Sequence, residues 1–333
     1  MVLICFGTRP EYIKVSPLIN KMSKMNIDFK TFFTGQHKDL VKYKANFFID
    51  INDGPNRLDS IVASIMNSID FKKEGITKVL VQGDTTTAMA MALSAFHNKI
   101  PVIHLEAGLR TYNLEQPYPE EANRQIISRI ASIHLCPTDL SKQNLQNEKV
   151  AGRLEVVGNT VLDNLKNTNV TTEKKVLVTM HRRENFNDIK KWFLEIDRLA
   201  TKYLDYEFVL PIHPNPQIKK YKNVFKTVKV MEHFEYNKLI DYLSSCSYVI
   251  TDSGGIQEES AFLRKPCLVC RRETERTEGL NNFSLLCKSP EKLFSAFEKL
   301  NYLPMNGKCP YGDGNSVNKI IKILQKDKKW QTY

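Results

Sequence analysis

The sequence predicts an α/β protein built from two Rossmann-like, doubly wound parallel-sheet domains facing a cleft. Three observations lead there. The chain has 333 residues, too many for one compact core. Short, nearly continuous apolar runs alternate with longer amphipathic stretches, the pattern of strands covered on both faces by helices. The alternation breaks at a polar stretch, Lys166–Lys174, and then restarts.

Strands are expected at Val2–Phe6, Phe29–Phe33, Lys78–Gln82, Val102–Leu105, Ile133–Cys136 and Leu154–Val157. Helices are expected between them at Pro10–Lys24, Leu58–Phe71, Thr85–His97, Glu120–Ala131 and Leu140–Asn147. After the polar stretch, strands are expected at Lys175–Thr179, Glu207–Pro211, Val228–Met231, Tyr248–Thr251 and Pro266–Cys270. Their helices are Asp188–Lys202, Tyr236–Ser245, Gly255–Leu263 and Pro290–Leu300. Such strand–helix alternation gives parallel sheets. The domains expected are residues 1–166 and 175–312, with an amphipathic tail, 315–333, crossing back onto the first through a helix at Ser316–Leu324.

Composition narrows the function. A hydrophobic content of 42% with 10% aromatics suits globular packing. No apolar run approaches the roughly 20 residues that span a bilayer. Val2–Phe6 is apolar but lacks a basic flank and runs straight into a Gly-Thr-Arg-Pro turn, so it reads as a first strand and not a signal peptide. The net charge of +11 lies largely in dispersed lysines such as Lys24, Lys72–Lys73, Lys219–Lys220 and Lys328–Lys329, a solvated surface without the aromatic interleaving of a nucleic-acid binder. Seven cysteines, an odd number, make no disulfide framework. Cys5, Cys136 and Cys246 sit in apolar runs; Cys267 and Cys270 have a CxxC spacing but lie in a strand-like run with no second pair nearby, so they read as structural thiols of a reducing, cytoplasmic protein.

In doubly wound sheets ligands gather at the carboxyl ends of the strands, and the polar motifs fall there. Gly7-Thr8-Arg9-Pro10-Glu11, with Lys14 beyond, follows the first strand and sets cations at a helix start. Gly83-Asp84-Thr85 follows the third, where Asp84 either caps the next helix or serves chemistry. The fourth ends in His104-Leu105-Glu106, and Pro119-Glu120-Glu121 opens a helix whose Arg124 follows. Acidic residues suit a first turn on dipole grounds alone. Three carboxylates at one sheet edge nevertheless predict mutual repulsion that lifts at least one toward the range of proton transfer. In the second half His181 and His213 follow successive strands. Ser253-Gly254-Gly255 at a helix start exposes backbone N–H groups to a phosphate, and Glu259 lies one turn on, placed to accept from a ribose diol.

Together these segments resemble the non-hydrolysing UDP-N-acetylglucosamine 2-epimerases. The matching stretches run in order along the chain: GTRPEYIK (7–14), TGQH (34–37), GDTTT (83–87), HLEAGLRT (104–111), PYPEEANR (117–124), CPTD (136–139), GNTVLDNL (158–165), HRREN (181–185), HPNP (213–216), DSGGIQEES (252–260), TERTEG (274–279) and PYGDG (310–314). The resemblance implies a glycosyltransferase-B type fold with UDP held mainly by the second domain, no cofactor or metal, and a homodimer without nucleic-acid or membrane partners. It places Asp84, Glu106, Glu120 and His181 in the catalytic positions. It places Arg9, Lys14, Arg124, His213, Ser253, Gly254, Gly255 and Glu259 on the substrate, with Arg271 among the phosphate contacts. Two departures stand out. The stretch between TGQH and Leu58 is short and lacks the Gln-Thr-Leu element of the bacterial enzymes, so their second, activating UDP-sugar site is not carried over. Thr277 stands where the family usually has proline.

The implied chemistry suits these residues. The C2 proton of an N-acetyl sugar is not alpha to a carbonyl, so it must be made acidic first. Oxidation at a neighbouring hydroxyl needs a nicotinamide, and no G-x-G-x-x-G run occurs. Anti elimination of UDP to a 2-acetamido glycal, followed by syn re-addition, needs only cations and N–H groups on the diphosphate and carboxylates flanking the ring. Three rivals are a glycosyltransferase of the same fold, a hydrolysing 2-epimerase and a non-catalytic polyanion binder.

Overall fold

The computed structural model describes residues 1–36, 43–51 and 54–326. His37 of the TGQH stretch, residues 38–42 and 52–53 of the short segment after it, and the Lys328–Lys329 pair lie outside the described residues. The chain divides into two compact units, Met1–Asn164 with Gly312–Tyr333, and Leu165–Tyr311.

The first unit runs β1 (Val2–Phe6), α1 (Arg9–Lys24), β2 (Phe29–Phe33), β3 (Phe47–Phe48), α2 (Arg57–Met66), β4 (Lys78–Gln82), α3 (Thr86–His97), β5 (Val102–Leu105), α4 (Glu120–Ile130), β6 (Ile133–Cys136), α5 (Asp139–Asn147) and β7 (Arg153–Val156). The second runs β8 (Lys175–Thr179), α6 (Ile189–Lys202), β9 (Glu207–Pro211), α7 (Pro216–Lys219), β10 (Lys229–Met231), α8 (Tyr236–Ser245), β11 (Tyr248–Thr251), α9 (Gly254–Phe262), β12 (Cys267–Cys270), β13 (Ser284–Cys287) and α10 (Leu293–Lys299). A final helix, α11 (Ser316–Lys326), belongs to the first unit. The sheets are ordered β3-β2-β1-β4-β5-β6-β7 and β10-β9-β8-β11-β12-β13, with every pairing parallel.

Strand alternation divides the first unit's core into two layers. Val2, Ile4 and Phe6 face one layer with Val15, Leu18, Met22 and, from α11, Val317, Ile320 and Ile321. Leu3 and Cys5 face the other, against Ile61, Ile65, Ala88 and Met91. Each fully buried aliphatic side chain contributes about 1.5–3 kcal/mol. Asp163 fixes the start of α11, its carboxylate accepting from the backbone N–H groups of Ser316 and Val317 at 3.0 Å each. In the second unit Val176, Val178, Phe208, Leu210 and Cys270 pack under Trp192, Phe193 and Ile196 of α6.

Differences from the sequence reading fall at element ends and sheet edges. α2 stops at Met66, where Ser68 Oγ donates to the carbonyl of Ile65 at 2.7 Å and diverts the chain. The Pro290–Leu300 segment is a 3₁₀ turn, the short α10, and a second 3₁₀ turn. Strands β3 and β13 and helix α7 escape the sequence reading; β3 and α7 are too short for a full period of their patterns.

Candidate active site

In a doubly wound sheet, ligands meet the strand ends where the winding reverses. Here the reversals lie between β1 and β4 in the first unit and between β8 and β11 in the second. The turns leaving these strands carry Gly7-Thr8-Arg9, Gly83-Asp84, His181 and Asp252-Ser253. Fold topology alone brings the sequence motifs to two strand-end clusters.

In the first unit Glu106 leaves β5 in the left-handed region, at φ 68°, and is 7% exposed. A non-glycine residue held there costs on the order of 1–3 kcal/mol and needs strong local restraint. Restraint is present. Its carboxylate receives Lys14 Nζ at 2.7 and 2.5 Å and the Gln82 side-chain amide, while its backbone N–H donates to Leu135 at 3.0 Å. Asp84, one strand over, accepts from Arg124 Nη1 at 3.0 Å, and its carbonyl accepts from Asn123 Nδ2 at 2.9 Å. Arg124 also grips Glu121, through Nε at 3.1 Å. Glu121 in turn accepts from the backbone N–H groups of Thr111 and Tyr112 at 3.0 and 3.2 Å, tying α4 to the loop after β5. Glu120 begins α4 next to this anchor, partly exposed, one helical turn from Arg124. Both X–Pro bonds of the preceding segment, Gln116–Pro117 and Tyr118–Pro119, are cis.

Two of these carboxylates have a cationic partner. Asp84 faces Arg124, and Glu106 faces Lys14. Arg9 starts α1, partly exposed. Nearby, buried His104 donates through Nε2 to the carbonyl of Gly83 at 2.7 Å. Burial first of all pulls its pKa down from 6.5 to about 3, with its neighbour His134 also lowering it, so the ring is neutral.

In the second unit buried Asp252 joins the two turns of the reversal. It accepts from the backbone N–H groups of His181, at 3.0 Å to each carboxylate oxygen, and of Arg182 at 2.9 Å. Asn185 Nδ2 donates to it at 3.1 Å and to the carbonyl of Cys270 at 3.0 Å. His181 stacks on His213, ring centroids 5.2 Å apart and 16° from parallel. Desolvation lowers the His181 pKa below the ordinary histidine value, with Asp252 opposing and Arg182 reinforcing. His213 accepts the backbone N–H of Asn215 at Nδ1, 3.2 Å, which leaves Nε2 as the protonated nitrogen of the neutral ring. Beyond it, His233 meets His213 edge-on at 5.6 Å. His181, His213 and His233 thus follow three neighbouring strands, β8, β9 and β10.

Helix α9 opens at Gly254 after Ser253, whose side chain makes no capping hydrogen bond. Gly254 is the glycine that close packing requires. A Cβ on Gly254 would stand 2.5 Å from Arg276 Nη1, and one on Gly255 would meet only Ser253 Oγ at 3.9 Å. Arg276 is buried, held by Glu258 at 2.5 Å and by Glu275. Arg271, 1% exposed, is bound to Glu184 at 2.8 Å and Glu275 at 2.9 Å. Glu259 accepts from the Tyr236 hydroxyl at 2.9 Å.

The sequence reading puts Lys14, Arg124 and Arg271 on the substrate; the structure commits all three to protein carboxylates. It brings Lys14, Asp84, Glu106, Glu120 and Arg124 together, and separately groups His181, His213, Ser253, Gly254 and Gly255 around the second reversal. Sequence reasoning misses Gln82, Glu121, Asn185, Asp252 and Arg276; Gln82, Asn185 and Asp252 find their partners at a distance in the chain, and Glu121 and Arg276 only once the neighbouring loops are folded. Among the described residues no cluster of His, Cys, Asp or Glu is arranged to hold a metal ion, and Cys267 and Cys270 are buried free thiols. Chemically, the first unit offers fixed carboxylates suited to proton transfer. The second offers a helix start suited to an anion.

A family model described as UDP-N-acetylglucosamine 2-epimerase matches residues 20–325. A UDP-N-acetylglucosamine 2-epimerase from Neisseria meningitidis serogroup A is 38% identical over 373 aligned positions, covering 98% of this chain and 100% of the relative. The crystal structure of the Neisseria meningitidis UDP-GlcNAc 2-epimerase bound to UDP-GlcNAc superposes with a TM-score of 0.87 at 35% identity, covering 98% of this chain and 99% of that one. That of the Methanocaldococcus jannaschii enzyme in complex with UDP-GlcNAc and UDP gives 0.84 at 30% identity, with the same coverage of 98% and 99%. The glycosyltransferase SnogD from Streptomyces nogalater, 14% identical at a TM-score of 0.56 over 97% of this chain and 98% of that one, shares the fold alone.

Proposed function

Because the chain belongs to the UDP-N-acetylglucosamine 2-epimerase family, we propose that it is a non-hydrolysing 2-epimerase interconverting UDP-N-acetylglucosamine and UDP-N-acetylmannosamine, or the corresponding 6-deoxy UDP-2-acetamido sugars. The observation that carries this reading is the carboxylate set at the strand ends of the first unit, within a full-length family match. UDP leaves C1 with the electrons of its C–O bond while a carboxylate removes the C2 proton, anti to it, giving a 2-acetamido glycal. A proton then arrives at C2 from the other face and a phosphate oxygen of UDP re-adds to C1. Atoms and charge balance without a second substrate.

Asp84 and Glu120, the more exposed carboxylates, flank C2. Glu106, paired with Lys14, fixes the local field, and Arg124 holds Asp84 in place. The Ser253-Gly254-Gly255 turn and His213 hold the diphosphate, with Arg9 as a further cation, and His181 counters its growing charge as an N–H donor. Glu259 accepts from the ribose. Arg271 supports the phosphate site from below through Glu184 and Glu275.

Incubation with UDP-N-acetylglucosamine and no acceptor, followed by NMR, tests the assignment. UDP-N-acetylmannosamine is the expected product. Free N-acetylmannosamine with UDP would replace it by the hydrolysing reaction, and an unchanged sugar that reacts only with an acceptor would replace it by glycosyl transfer. The homodimer and cytoplasmic setting expected of the protein belong to the same proposal; light scattering of the purified protein reads the former.

A further inference from the structure

Glu11 lies outside the chemistry just described, yet it is among the most enclosed carboxylates of the first unit, 2% exposed. Part of its bonding is a helix cap. Thr8 Oγ1 accepts from the Glu11 backbone N–H, and Glu11 accepts from the Thr8 backbone N–H at 2.8 Å. That cap does not account for the rest. The same oxygen, Oε2, also accepts from Gly7 N–H at 3.1 Å and from the Thr8 hydroxyl at 2.7 Å. The other, Oε1, accepts from the hydroxyl of Thr85 at 2.7 Å, 74 residues away. Thr85 is the N-cap of α3, next in the chain to Asp84.

One carboxylate thus joins the turn after β1 to the turn after β4, across the point where the first sheet reverses. The two turns carry Arg9 and Asp84, and Lys14 lies on the helix that the first of them opens. The second unit is built alike: Asp252, on the turn after β11, takes its hydrogen bonds from the turn after β8. A buried carboxylate is a costly tie, since desolvation pushes the Glu11 pKa up and its hydrogen bonds only partly offset this. A helix cap alone is obtained at the surface with Ser or Asp at far lower cost.

We propose that Glu11 is a positioning residue for the epimerisation, its two oxygens fixing the distance between the Arg9–Lys14 cations and Asp84. The inference rests on the proposed function. Misplacing a reacting group by about 1 Å costs roughly 100-fold in rate. Glu11→Gln keeps one acceptor for the Gly7–Thr8 turn but loses the second toward Thr85. Thr85→Asp keeps the N-cap of α3 but removes the hydroxyl donor and repels Glu11. Thr85→Ser keeps both.

The experiment measures kcat, KM, UDP affinity and melting temperature for these three proteins and the Glu11→Gln/Thr85→Asp double variant. Amide exchange is followed in the segments around Gly7–Thr8 and Thr85. The proposal expects kcat to fall about 10- to 100-fold in Glu11→Gln and in Thr85→Asp, no further in the double variant, and under two-fold in Thr85→Ser. UDP affinity stays within two-fold, and exchange quickens in both segments together. It is overturned if Thr85→Asp keeps wild-type kcat, if kcat losses merely follow the unfolded fraction, or if exchange quickens only around Gly7–Thr8. A wild-type protein with no epimerase activity removes the proposed function instead; exchange confined to one segment still refutes the clamp, and exchange in both still supports it.

Discussion

At the scale of single residues the account turns on which carboxylates are held ready and which are spent on structure. Asp84 and Glu120 remain partly exposed, whereas Glu121 is wholly buried and accepts four hydrogen bonds and ion-pair contacts. Asp84→Asn and Glu120→Gln are expected to lower kcat by about 10²- to 10⁴-fold while UDP affinity stays within two-fold; steady-state rates and calorimetric titration with UDP read the two effects apart. Gly254→Ala is expected to act in reverse. Its methyl would stand 2.5 Å from Arg276 Nη1, and Glu258 and Glu275 leave that guanidinium little freedom to retreat. Overpacking of this kind costs about 1–3 kcal/mol, so UDP binding should weaken 10-fold or more, as titration with UDP would show. The sequence told much of this cluster, because Asp84 and Glu106 sit where short apolar runs end and Glu120 opens a helix. It did not tell that Lys14 belongs to Glu106, 92 residues on, or that Glu121 and not Glu120 anchors α4. Adjacent glutamates in a first helical turn look alike until the loop they face is in place.

At the scale of elements, neighbouring strands place His104 of β5 directly beside His134 of β6, both buried. Burial lowers both pKa values, that of His104 to about 3. The unfolded chain therefore takes up protons first as pH falls. Stability from this pair is complete above about pH 6.5 and is lost as pH drops toward the folded values, on the order of 2 kcal/mol from His104 alone by pH 5. Urea midpoints measured between pH 7.5 and 5 should fall more steeply in the wild type than in His104→Gln; parallel slopes would contradict the assignment. At the other end of the first unit, Asp163→Ala should cost about 1 kcal/mol by uncapping α11, read as a lower melting temperature. Central strands were legible because apolar runs covered on both faces have no competing pattern. Edge strand β3 was not, since Phe47–Phe48 is too short to show a period, and edge strand β13 (Ser284–Cys287) was missed as well. Strand order lies beyond any local signal, because parallel pairing is set by contacts between distant segments.

At the scale of the whole molecule, repetition was the informative feature: strand–helix alternation that stops and restarts implies two sheets, and both are parallel throughout. Each unit carries polar residues at the strand ends where its sheet reverses: acidic side chains in the first and a glycine-rich helix start in the second. No helix among the described residues is long and apolar enough to cross a membrane. The central claim is that the C2–H bond breaks and re-forms through a glycal at the first unit's carboxylates, with UDP retained. Proton NMR of UDP-N-acetylglucosamine incubated with the protein in D₂O tests it most directly. The account predicts UDP-N-acetylmannosamine carrying deuterium at C2, with free UDP and glycal not accumulating. Epimerised product that keeps its original C2 hydrogen, or release of free sugar in place of the epimer, would contradict it.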